Sequence, residues 1–107
     1  MKIHDKEQLN AYRKQIDEID TELVHIIGRR AEIVRKLMKL KGDSEAVRSP
    51  DRVEQVVKNA EFTARLVGAP VEVVTPTYRA MIKALTDLQL REYDGSANPG
   101  LRINDDQ

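Results

Sequence analysis

The residues best suited to chemistry in this sequence are cations and one amide, standing where hydrophobes belong. Arg30 falls in the row Leu23, Ile26, Arg30, Ile33, Leu37, Leu40, whose steps of three and four residues mark one face of a helix. Lys41 follows eleven residues later, a rotation of about 1100° that returns it to nearly the same face ~16 Å further along. Arg13 precedes Arg30 by seventeen residues, roughly 25 Å away and about 100° around the axis, so no small ligand can touch both on one helix. Arg13 of a second, antiparallel copy could instead approach Arg30 and Lys41. Arg48 and Arg52 lie four apart, on one helical face. Gln89 is the polar member of the row Tyr78, Ile82, Leu85, Gln89. Unpaired buried charge is costly, so cations on core-facing positions call for an anionic counterpart. The set suits an internal site for a small molecule with more than one carboxylate.

Each of these residues alone has a plainer explanation. A single seam arginine more often pairs with a buried acid, for which Asp17, Asp20 and Glu32 are available, or specifies helix register. Gln89 alone reads as a satisfied core amide, and Arg48 with Arg52 as a solvated face. Only the set favours a site. His4 and His25 have no acid or serine spacing around them that suggests catalysis or a metal, and there is no glycine-rich phosphate loop.

The elements that must position these side chains are helical. The seam begins at Leu9, Tyr12, Ile16 and Ile19, and only Gly28 breaks the run of helix-compatible residues up to Lys41. A helix from about Asp5 to Lys41 would be roughly 55 Å long, whereas a compact domain of this size has a radius of gyration of about 13 Å. Its own chain cannot cover it, so it needs a partner, most simply a second copy. Asp5 is a candidate cap, and Lys36, Lys39 and Lys41 favour the other end of the dipole. Gly42 suits a left-handed stop, and Gly42 to Arg48 reads as a short polar loop. Ser49-Pro50-Asp51 then opens a second helix, with Val53, Val56, Val57, Ala60, Ala64 and Val67 on one face and Gly68-Ala69-Pro70 at its end. The third helix starts near Pro70 or at the cap-like Thr75-Pro76, and runs to about Tyr93. Gly95 to Gln107 reads as a disordered tail, which leaves residues 1–94 as one helical domain. The fold class is all-α, three helices with a very long first one.

Composition narrows the class further. The 107 residues suffice for one domain, and 18 basic residues balance 18 acidic ones, which argues against a nucleic-acid binder. Without cysteine there is neither a disulfide nor a thiolate metal site, and nothing else calls for a metal or cofactor. No apolar run approaches the ~20 residues of a membrane span, and the first residues lack a signal-peptide core. A soluble cytoplasmic protein is expected.

Taken together, Leu9-Asn10-Ala11-Tyr12-Arg13, Ile16-Asp17-Glu18-Ile19-Asp20, Gly28-Arg29-Arg30, Leu40-Lys41, Arg48-Ser49-Pro50-Asp51-Arg52 and Gln89 resemble the all-α chorismate mutase superfamily, which includes isochorismate pyruvate lyases. The resemblance spans Leu9 to Tyr93 and implies an intertwined homodimer with two sites. It also implies that Arg30, with Arg13 contributed in trans, holds the substrate carboxylates. Lys41 would contact the ether oxygen and one carboxylate, and Gln89 the ether oxygen from the other side; Arg52 matches a further site arginine. Lys41 and Gln89 are thus the implied catalytic residues.

Two positions depart from the mutase pattern. Mutases usually carry Glu after the arginine matched by Arg52, contacting the ring hydroxyl, and here it is Val53; many have Asp where this chain has Ser49. The Lys41-to-Arg52 segment, with Ser44-Glu45-Ala46 and Pro50-Asp51-Arg52-Val53, looks more like the lyases. The resemblance therefore implies conversion of isochorismate to salicylate and pyruvate, as in siderophore biosynthesis, with side mutase activity. The alternatives are a chorismate mutase, a mutase of an amino analogue of chorismate, and, least favoured, a non-catalytic helical dimer.

Overall fold

The computed structural model describes residues 3–41 and 49–92; the segments read above as a polar loop and a tail, and Tyr93, lie outside the described residues. The described residues form three helices in order, α1 (Ile3–Lys41), α2 (Pro50–Val67) and α3 (Val71–Glu92), and contain no strand. The chain divides into two compact units, Met1–Val34 and Arg35–Gln107, with the boundary inside α1.

The first unit is the N-terminal part of α1. The helix starts at Ile3, so Asp5 is not its cap but an acid of the first turn, 3.2 Å from His4 Nε2. There it still meets the positive end of the helix dipole. The predicted apolar row is regular and bare: Tyr12, Ile16, Ile19, Leu23, Ile26 and Ile33 are 49–60% exposed.

In the second unit, α2 and α3 pack side by side, joined by the short turn at residues 68–70. Capping chemistry sets both ends of α2. Ser49 Oγ accepts the Arg52 backbone N–H at 3.4 Å, and Pro50 occupies the first turn, where its missing N–H is no loss. Gly68 stops the helix at φ 77°, a left-handed conformation that a side chain would resist, and the Ala69 N–H closes on the Ala64 carbonyl at 2.8 Å.

Of the two starts open to α3, the structure takes the earlier. The N–H groups of Val73 and Val74 both bond the Pro70 carbonyl at 3.0 Å, and Pro76 lies inside the helix. Thr75 is not a cap. Its hydroxyl donates to Glu61 of α2 at 2.5 Å and ties the two helices together. Among the described residues of this unit, Val57 and Ala64 of α2, Leu85 and Gln89 of α3, and Met38 from the end of α1 are buried. Each large apolar side chain so buried contributes about 1.5–3 kcal/mol.

Candidate active site

Gln89 is the point from which a site can be built. It sits in the last turns of α3, in the row that puts Leu85 one turn before it in the core and Tyr78 and Ile82 half-buried behind that. The same spacing that buries Leu85 buries Gln89, leaving it 2% exposed. Its Nε2 has no hydrogen-bond partner among the described residues. A buried amide donor left unsatisfied costs about 1–3 kcal/mol, so the position suits an acceptor from outside the chain.

The cations stand differently. Arg30 is half-buried, and among the described residues it has no ion-pair partner; Asp17, Asp20 and Glu32, the acids available to neutralise it, do not bind it. Arg13 is exposed and likewise unpaired among the described residues. Both belong to the first unit, seventeen residues apart on one helix, which does not bring them together within a single copy. Lys41 is the last residue of α1 by its backbone, and its side chain lies outside the described residues, as does Arg48. Arg52, in the first turn of α2, is exposed and donates from Nη1 to Gln55 Oε1 at 2.6 Å. No hydrogen bond joins Arg52 to Gln89. Val53, beside it, is half-buried.

Two forked ion pairs were not foreseen. Arg79 Nη1 and Nη2 donate to Glu54 Oε2 and Oε1 at 2.7 and 3.1 Å, linking α3 to α2. Arg35 Nε and Nη2 donate to Glu92 Oε1 and Oε2 at 3.0 and 3.1 Å, linking the end of α1 to the end of α3. In each case the arginine hydrogen bonds hold the carboxyl below the ordinary range. Residues 57 positions apart in helices of unstated packing carry no sequence signal of such a contact.

A cavity of about 340 Å³ between α2 and α3, lined by residues such as Val56, Asn59, Thr63, Val74 and Tyr78, contains no cation and so does not suit a dicarboxylate. Among the described residues no group of three or more acids or histidines could hold a metal ion, and no helix is long and apolar enough to cross a membrane.

Among the described residues, then, every element is a helix, the buried Gln89 Nε2 has no partner, and Arg30 has no ion pair. The family model for chorismate mutase type II matches residues 12–90, a span that contains Arg13, Arg30, Lys41, Arg52 and Gln89. The chain belongs to the type II chorismate mutase family, whose reaction is a pericyclic isomerisation of a small molecule. No curated protein and no solved structure matches it.

Proposed function

We propose that the protein is an isochorismate pyruvate lyase that also turns over chorismate slowly. The observation that carries a pericyclic site is the Gln89 amide, buried and with no partner for Nε2 among the described residues. It is a donor held dry and already oriented, the arrangement that stabilises charge developing on an oxygen in the transition state. Gln89 and Lys41 donate to the ether oxygen as its bond to the ring breaks. Arg30 and, from a second copy, Arg13 hold the two carboxylates in the reactive conformer. Arg52 adds a further cation once released from Gln55.

In the lyase reaction, the hydrogen on the hydroxyl-bearing ring carbon moves to the enolpyruvyl methylene while the ether C–O bond cleaves. The ring becomes salicylate, and the side chain leaves as pyruvate. Atoms and electrons balance without an external acid, base or oxidant. The half-buried Val53 supports the lyase, because it replaces the carboxylate that would contact the hydroxyl of chorismate; isochorismate carries its hydroxyl elsewhere. The exposed apolar row of α1 supports a homodimer, since two copies can cover what one leaves in water.

A second reading, chorismate mutase, is favoured by the family match itself. Incubation with isochorismate and with chorismate, followed by product identification, separates the two. Salicylate and pyruvate as the preferred products are expected. Prephenate as the sole product assigns the mutase instead, and no turnover of either compound removes the enzymatic reading.

A further inference from the structure

We propose that Arg35 and Glu92 are positioning residues whose fork sets the end of α1 against the end of α3, and thereby places Lys41 relative to Gln89. The inference rests on the roles given above to those two donors. Arg35 precedes Lys41 by six residues, about 9 Å along α1, and Glu92 follows Gln89 by three, roughly 4.5 Å along α3. The pair therefore bridges the two helices within about two turns of both groups assigned to the ether oxygen.

Its geometry is directional. Both arms of the guanidinium engage both carboxylate oxygens, at 3.0 and 3.1 Å, which fixes orientation as well as separation. Met38, three residues after Arg35, is also buried, at 7% exposed. Apolar burial is non-directional and leaves a helix able to slide or rotate over its neighbour. A fork resists both movements. Catalytic donors tolerate little error, since a misplacement of about 1 Å can cost 10²-fold in rate. The two side chains are 45% and 38% exposed, so the pair adds little to stability, and its effects on rate and on folding can be separated.

The test is steady-state kinetics with isochorismate and chorismate on the full chain, alongside thermal unfolding. Arg35→Gln and Glu92→Gln should each lower kcat roughly 10- to 100-fold, with KM held within about threefold because the arginines still bind the carboxylates. The double variant should be no slower than either single. Arg35→Lys, which keeps the charge but loses the fork, should remain slow, and the exchanged pair Arg35→Glu with Glu92→Arg should recover part of the rate. Thr75→Val supplies the comparison. It removes the bond between α2 and α3 fourteen residues from Gln89, and should lower the unfolding midpoint while leaving kcat within about twofold. An active wild type with single variants that keep kcat within twofold overturns the clamp. So does a loss of rate that only tracks the fraction unfolded. A wild type that makes neither salicylate nor prephenate overturns the site assignment first, and the clamp with it.

Discussion

Replacing Gln89 by Met should separate stability from activity. The side chain is 2% exposed, and its Nε2 lacks a partner among the described residues, so the free protein carries a desolvated donor at a cost of about 1–3 kcal/mol. Methionine has nearly the same length and no donor to leave unsatisfied. A volume-conserving swap of this kind typically costs under about 1.5 kcal/mol in packing, so the net change runs from about 0.5 kcal/mol destabilising to about 3 kcal/mol stabilising. In a domain of this size that is an unfolding midpoint a few degrees lower at most, and otherwise unchanged or raised. The same substitution removes a donor proposed to meet the ether oxygen, which should cost about 3 kcal/mol of barrier, or 10²- to 10³-fold in kcat. Thermal melts followed by circular dichroism and the product assay on one preparation measure both. A midpoint lowered by ten degrees or so, with kcat unchanged, would refute the reasoning: the amide would then be a structural group with its hydrogen bonds made inside the fold.

Three further outcomes can be measured. Gly68→Ala should destabilise by about 1–2 kcal/mol, read as a lower midpoint; a Cβ at that position meets nothing within 4 Å, so the loss is the left-handed backbone alone. The carboxyls of Glu54 and Glu92 are held below their ordinary value of 4.5 by hydrogen bonds from Arg79 and Arg35. A lowered folded-state pKa stabilises above the unfolded value and is lost as pH falls through the folded one. Because both pairs are largely exposed, the midpoint should fall only slightly as pH drops below about 4.5, and less in the doubly substituted Glu54→Gln, Glu92→Gln chain. Finally, inactive Arg13→Ala and Arg30→Ala chains, unfolded together and refolded as a mixture, should regain about a quarter of wild-type activity. Half the dimers are then mixed, and each has one of its two sites intact. No recovery on mixing would place both arginines in the same copy's site, or outside it.

The parts of the fold legible in the sequence are those written in local chemistry. The limits of α2 follow from Ser49-Pro50 and Gly68 because caps are satisfied by residues three or four positions away. The start of α3 is ambiguous in sequence because Pro70 and Thr75-Pro76 both look like openings; the Pro70 carbonyl takes the N–H groups of Val73 and Val74, while the Thr75 hydroxyl goes to Glu61, fourteen residues back on another helix. Asp5 looked like a cap because seam spacing cannot show that the helix already begins at Ile3. The same division runs through the site. Gln89 was readable as a polar residue in an apolar row, but not as an amide without a partner, since satisfaction depends on what neighbouring helices offer. Arg52 was assigned by its place in a motif, whereas its hydrogen bond to Gln55 depends on a rotamer. Arg35 and Glu92 each look like ordinary surface charges, and only tertiary packing makes them a pair.

The bare stripe on α1, from Tyr12 to Ile33, has a consequence for handling the protein. If a mate shields it, protomer concentration becomes a folding variable: thinning the solution peels copies apart and wets the stripe. Melting temperature should climb with each tenfold rise in concentration, and assays at nanomolar enzyme should lose rate faster than dilution alone explains.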